Sequence, residues 1–331
     1  MNDQAVRTVN EWAQGFRNLY SENDDKRRPE EFWNATMAHL SCIGEAIRRS
    51  HYLELMSAAA HAFCWMCCFV SKCNETDDKL FHVENNFSEI VGLKFPKICG
   101  HCGENHCSCN PVQMDDQKDK SGKYGELYNN WKDIKWDGYS LKSWLDVFWS
   151  VYSGQIHLLA FENIGFHLLE EAGEEALAVR QLVSFRGIVN EKIEGIDDDF
   201  FDRLSNIPQL VEEYIKCIGD LKGKYRVEKD KEAIKQIDYT DDDPIVLKAR
   251  IVKGKMDFVI EFADTFSWYS AVLLKLSKII EAEDLEENVK RKFNIEEALK
   301  TIYLSETNDN PLSCYSCKEQ KCRCKFYPEN K

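Results

Sequence analysis

The chain reads as an all-α protein of two tandem helical modules, and three observations carry that reading. Apolar residues recur at near-helical spacing over long stretches, with few of the alternating runs that a half-buried strand requires. Proline and glycine are sparse, 7 and 16 among 331 residues, so few points break a helix. The cysteine string C-x2-C-x4-C-x-C occurs twice, as Cys99, Cys102, Cys107, Cys109 and as Cys314, Cys317, Cys322, Cys324, each time closing a helix-rich segment. A pattern that specific, repeated within one chain, marks an internal duplication.

The first helix of each copy has one apolar stripe, Val9, Trp12, Phe16 and Tyr20 against Leu141, Trp144, Phe148 and Tyr152. The next carries His39-Leu40 and Gly44-Glu45-Ala46, which reads against His167-Leu168 and Gly173-Glu174-Glu175-Ala176 with one residue gapped. The third carries Ala62-Phe63-Cys64-Trp65 against Thr265-Phe266-Ser267-Trp268. This places one module at 1–112 and a second at 139–331. The polar segment 113–138 is expected to be a linker, ordered in part around Trp131 and Trp136. The second copy also holds an insertion of roughly sixty residues, at about 184–250. It includes Asp197-Asp198-Asp199, a helical stretch near Ile207 to Leu221, and Asp241-Asp242-Asp243-Pro244. The acidic triplets are expected to cap helices or face solvent. A lid over a pocket and a docking surface for a protein partner both remain open for the insertion.

The formal charge of −14 opposes broad electrostatic binding to nucleic acid, which needs many Lys and Arg contacts to phosphates. The longest apolar run, Ala58 to Val70, falls short of the ~18 to 20 residues that span a bilayer and reads as a buried helix. The N-terminal residues lack the apolar centre of a signal peptide, so a cytoplasmic protein with free or metal-bound thiols is expected.

Each cysteine cluster supplies four thiolates, enough for one tetrahedral structural zinc. His101 and His106 lie inside the first cluster, but Ser316 and Lys321 take their places in the second, which argues against histidine ligands. An iron-sulfur cluster or a disulfide pair are the alternatives. A staple for the end of each module is favoured over nucleic-acid contact, given the acidic charge. Cys42, Cys64, Cys67, Cys68, Cys73 and Cys217 read as small buried hydrophobes.

The copies differ in their carboxylates. Glu171 and Glu174 stand three apart on one helix, and Glu261 and Asp264 stand three apart on another, so each pair projects from one face. Glu261 and Asp264 interrupt the apolar run Phe258, Val259, Ile260, Phe262, Ala263, Phe266, where a solvated face is not expected. Acids brought together in that setting repel unless protonated or bridged by a cation, and hard oxygen ligands suit Mg2+ or Mn2+. Copy one has Ala58 and His61 where Glu261 and Asp264 stand, and keeps only Glu45 as a counterpart to Glu174.

The pair Glu171-x-x-Glu174 followed by Glu261-x-x-Asp264 resembles the E-x-x-E and E-x-x-D signature of the MazG-like all-α nucleoside triphosphate pyrophosphohydrolases. The flanking words Leu141-x-x-Trp144-x-x-x-Phe148, His167-Leu168-x-Glu170-Glu171 and Glu261-Phe262-Ala263-Asp264 are similar too. The resemblance covers copy two outside its insertion, and copy one more faintly. It implies four acids that bind Mg2+, a nucleoside triphosphate cleaved to monophosphate and pyrophosphate, and paired modules, here an intramolecular pseudo-dimer that could associate further. It also implies an acid among these, with Glu170 or Glu175 in reserve, as the base for water.

Around the site, Trp268 and Lys275 are candidates for base stacking and phosphate contact, although Trp65 and Lys72 match them in copy one without the acids. Arg180, Lys253 and Lys255 lack such matches and flank the acidic helices, which makes them phosphate candidates. A second class of function stays open: a sensor or scaffold that binds Mg2+-nucleotide without turnover and signals through the insertion.

Overall fold

The computed structural model describes residues 7–99, 102–109, 120–189, 196–237, 243–304 and 312–322. Their regular structure is helical, with two isolated bridges and no strand among them. The first repeat holds α1 (Val9–Asp24), α2 (Pro29–Arg49), α3 (Tyr52–Glu75) and α4 (Phe87–Lys94). After α5 (Lys120–Trp131), the second repeat opens with α6 (Leu141–Leu158) and α7 (Phe161–Ser184). The insertion follows as α8 (Arg186–Val189), α9 (Asp198–Leu204), α10 (Ile207–Tyr225) and α11 (Asp230–Ile237). The second repeat then resumes with α12 (Pro244–Ala282), α13 (Glu287–Lys290) and α14 (Ile295–Tyr303).

The two opening helices start alike. Thr8 caps α1 in a reciprocal box with Glu11, and Ser140 caps α6 through the Ser143 N–H at 3.0 Å. Thr8 and Ser140 then pair with each other in an antiparallel bridge, and Val9 N–H donates to the Tyr139 carbonyl at 2.8 Å. The apolar stripes behind these caps are buried, apart from Tyr152, which is half-buried. At their far ends, Lys72 donates to the carbonyls of Asp24 and Asp25, and Lys275 to those of Ile156 and His157, neutralising the negative ends of α1 and α6 in the same way.

Each repeat closes on the other. The third helix α3 packs against α1 and α2 of its own repeat and also against α14, whereas α12 packs against α6, α7 and also α4. The cysteine segments cross over likewise: Cys107 N–H donates to Val151 of α6, and Cys322 N–H to Leu19 of α1, both at 2.8 Å. Leu19 and Val151 hold the same place relative to Trp12 and Trp144. Between them, α2 and α7 meet where side chains are absent: a Cβ on Gly44 would lie 2.8 Å from Leu169 Cδ1, and one on Gly165 2.9 Å from Ile47 Cδ1. Both helices are unbroken, so the one-residue gap expected within them has no place. The buried positions of α2 (Pro29, Phe32, Trp33, Thr36, Leu40, Ile43, Ala46, Ile47) recur in α7 132 residues later (Phe161, Ile164, Gly165, Leu168, Ala172, Glu175, Ala178, Val179), the separation that also joins Trp12 to Trp144. The expected match of His39 to His167 therefore shifts, and Glu171 stands opposite His39, Glu174 opposite Cys42 and Glu175 opposite Ile43.

Within the segment 113–138, read as a partly ordered linker, Leu127, Trp131 and Trp136 are buried in the core. Trp131 Nε1 donates to the Glu89 carbonyl at 2.8 Å, and Trp136 stacks on Trp144 at 5.4 Å with an interplanar angle of 3°. The insertion is also packed, with Leu210, Val211, Tyr214, Ile218 and Leu221 of α10 buried and the helix lying against α12 and α5. Asp197 and Asp243 cap α9 and α12, as the acidic triplets suggested. Arg186 binds both oxygens of Glu30 and reaches Asp78, tying the insertion to copy one.

Helix α3 is long and apolar enough to cross a membrane by length and composition, and 72% of its most apolar window is buried inside the protein. Cys64, Cys67, Cys68, Cys73 and Cys217 are buried as expected, whereas Cys42 is exposed.

Gly92 reports on the packing of the Trp136 segment. A Cβ there would meet the indole at 2.6 to 2.8 Å, and the ring is held by Trp144 behind it. Gly92→Ala is therefore expected to lose about 1 to 3 kcal/mol in chemical denaturation, the usual range for overpacking. An unchanged midpoint would show that the segment is not docked on α4.

Candidate metal centre

Helices α7 and α12 face each other along much of their length, and this brings three of the four candidate carboxylates together. Oxygens of Glu171, Glu174 and Glu261 all lie within 4.8 Å of one another. Glu174 is exposed at the mouth, and Glu171 and Glu261 are half-buried beneath it. Burial, then the charges of Asp264 and Glu261, push the Glu171 carboxyl up to about 9. Burial and Asp264 push Glu261 up to about 8. Carboxyls in this state hold protons near neutrality unless positive charge displaces them.

The fourth acid turns aside. Asp264 Oδ2 accepts a hydrogen bond from Lys94 Nζ at 2.7 Å, and both side chains are 16% exposed. Burial alone would lower the Lys94 ammonium, but Asp264, with Glu261 and Glu171 behind it, reverses the balance and raises it. Lys94 ends α4 and so belongs to copy one. Sequence reasoning missed it, although the copies differ there: Lys94 stands as far from the cap Asn86 as Ile302 does from the cap Asn294.

The flanking candidates are placed as follows. Glu170 is exposed and pairs with His167 Nδ1 at 3.1 Å, outside the trio. Glu175 is fully buried, and neither of its oxygens has a hydrogen-bond partner; burial, followed by Glu261 and Asp257, drives its carboxyl well upward. Lys253 pairs with Asp257 at 2.7 Å. Lys255 is buried, with its ammonium donating to the carbonyls of Lys79, Leu80 and His82, so it anchors the turn after α3 and is turned away from any phosphate. Lys275 caps α6, as Lys72 caps α1, which favours the architectural reading of both lysines. Trp268 stacks on His167 at 4.5 Å, so one ring face is already covered. Arg180 stays exposed on α7.

The matching place in copy one is neutral. His61 stands where Asp264 does, and its Nδ1 lies 2.6 Å from the Tyr303 hydroxyl at the end of α14. His39 and Tyr315 pack on its ring at 5.2 and 4.5 Å.

The cysteine clusters are the other candidate metal centres. Sulfurs of Cys99, Cys102, Cys107 and Cys109 lie within 4.8 Å of one another, as do those of Cys314, Cys317 and Cys322; Cys324 lies outside the described residues. Cys99 Sγ is 3.3 Å from Cys107 Sγ and 4.0 Å from Cys109 Sγ. These spacings exceed a disulfide bond of about 2.05 Å. They bracket the ~3.8 Å edge of a tetrahedron with metal–sulfur distances near 2.3 Å. The loops share one backbone: Gly103 and Lys318 N–H donate to the first cysteine's carbonyl, both with positive φ (75° and 60°), and the first cysteine's N–H donates to Glu104 or Glu319. Gln155 Nε2 of α6 donates to Cys107 Sγ at 2.9 Å, a supporting contact that no sequence pattern announced.

His61 sets a pH dependence. Burial, with His39 adding to it, lowers the imidazole from 6.5 to about 4. The folded protein thus refuses a proton that the unfolded chain takes up below about 6.5, and this stability is lost as pH falls from there toward 4. The loss is at most about 1.4 kcal/mol per pH unit, before a reduction for partial exposure. His61→Gln should gain on the wild type in denaturation midpoint between pH 7 and 5. A constant difference would contradict the neutral, half-buried imidazole. No family model, curated protein or solved structure matches the chain.

Proposed function

We propose that the chain is a MazG-like nucleotide pyrophosphohydrolase, dependent on Mg2+ or Mn2+, which splits a ribo- or deoxynucleoside triphosphate into monophosphate and pyrophosphate. The observation that carries this reading is the convergence of Glu171, Glu174 and Glu261 from two facing helices, with Asp264 beside them. A donor set made of carboxylates alone fits a hard divalent cation. When bound, such an ion neutralises phosphate oxygens and acidifies the attacking water. The chain's own residues supply the rest. Glu171, Glu174 and Glu261 would hold the ion from the two helices, and Glu174, open to solvent, would also be the acid available to accept the water's proton. Glu170 pairs with His167 outside the trio, so the role of base goes to Glu174 before it.

In this reading the two repeats form an intramolecular pseudo-dimer. The reciprocal docking of α4 and α14, and the bridge between Thr8 and Ser140, support it. Copy one is then a scaffold without acids of its own, and each cysteine cluster is a structural zinc site that fastens one repeat to the other. A thiol-rich chain of this kind suits a reducing compartment such as the cytoplasm.

Incubation of the protein with Mg2+ and a panel of nucleoside triphosphates should release monophosphate and pyrophosphate. Glu174→Ala and Asp264→Ala should each lower the rate at least ~100-fold while the fold is retained. No turnover by folded, metal-loaded protein would overturn the reading in favour of binding without catalysis. Elemental analysis should find about two zinc ions per chain, and stripping them should lower the melting temperature. Cysteines without bound metal in protein purified under reducing conditions would refute the staple.

A further inference from the structure

In the acidic site the carboxylates come from copy two and the ammonium beside them comes from copy one. The same exchange occurs in the neutral site, where the last residue of α14, Tyr303, reaches His61, just as the last residue of α4, Lys94, reaches Asp264. Each closing helix thus delivers one polar group to the same position of the other repeat. The groups are matched in charge, phenol to imidazole and ammonium to carboxylate. Packing alone would be served by an apolar side chain, which is what Ile302 provides at the position matching Lys94. An ammonium this buried costs desolvation and is retained where there is charge to neutralise.

We propose that Lys94 is an exchangeable counter-cation supplied by copy one: it neutralises Asp264 until a divalent cation and a triphosphate arrive, then releases the carboxylate and takes phosphate oxygens. This rests on the acidic cluster being a Mg2+-nucleotide site. A hard divalent ion competes with the ammonium for the Asp264 oxygens. A lysine head, a compact charge with three donors on a flexible stem, can transfer to a phosphate nearby without rearranging α4. The exchange gives copy one a part in the reaction although it carries none of the acids.

Calorimetry on the full chain separates the two halves of the exchange. With Mn2+ alone, Lys94→Met should bind about tenfold more tightly than the wild type, because the competitor is gone. With inorganic triphosphate in saturating Mg2+, the same variant should bind about tenfold more weakly, and Lys94→Arg should stay near the wild type. Lys94→Gln serves if the methionine variant does not fold. Both affinities rising would reduce Lys94 to a fixed counter-ion, both falling would make it a structural prop, and either result, like no change in either, overturns the exchange. Glu174→Ala binding Mn2+ like the wild type would instead sink the reading of the acidic cluster, and the exchange with it.

Discussion

Neither α3 nor α12 can be buried by the helices of its own repeat. Both carry apolar residues around most of their circumference: in α3 the run Ala58 to Ser71 is buried at nearly every position, and in α12, 21 of the 31 positions from Val246 to Leu276 are buried. Leaving one more face of such a helix in water costs about 1.5 to 3 kcal/mol for each large side chain exposed. The uncovered face is closed by the last helix of the other repeat, α14 on α3 and α4 on α12. The crossing of the cysteine segments and the proximity of Lys94 to Asp264 follow from that exchange.

Placing acids on α12 works against the same constraint. Glu261 and Asp264 lie on a half-buried stripe with Lys253, Asp257 and Trp268, on a helix otherwise largely committed to the core, and Glu175 faces inward from α7 with no hydrogen-bond partner. A sequence selected for stability alone would place apolar residues there, as copy one does with Ala58 and with Ile43, the residue level with Glu175 when the buried positions of α2 and α7 are matched. Carboxyls pushed up to about 9 and 8 in one cleft are the kind of local conflict that marks sites kept for a ligand. The protonation of these groups and the ion pair of Lys94 limit the cost in the absence of a ligand.

Much of this was legible in the sequence because it repeats. The stripes from Val9 and Leu141, the helix bearing Glu261, and both cysteine strings could be read by comparing the copies, and the comparison also flagged Lys275 and Trp268 as architecture. What escaped was set by contacts distant in sequence. Lys94 meets Asp264 only because α4 crosses to the other repeat, Lys255 is drawn inward by three carbonyls after α3, and Trp136 joins the core through Gly92. The expected pairing of His39 with His167 failed for a simpler reason: letters can be shifted to match short words, but the buried positions of α2 and α7, which recur 132 residues apart, fix the register.

A tandem chain also escapes a restriction that a homodimer imposes. In a twofold dimer every residue appears twice, so a lysine delivered by one closing helix would be delivered by the other, and each cluster of acids would have a twin. Here, α4 ends in lysine where its partner's site is acidic, and α14 ends in tyrosine where the site holds histidine. Removing the acids from one copy spares a shared core a second set of buried charges, while its closing helix still serves the set that remains. The insertion exploits the same freedom, lengthening α12 and packing α10 against it on one side only, with no counterpart lengthening α3. The asymmetry is thus concentrated around one site, and the symmetric contacts are those that hold the repeats together.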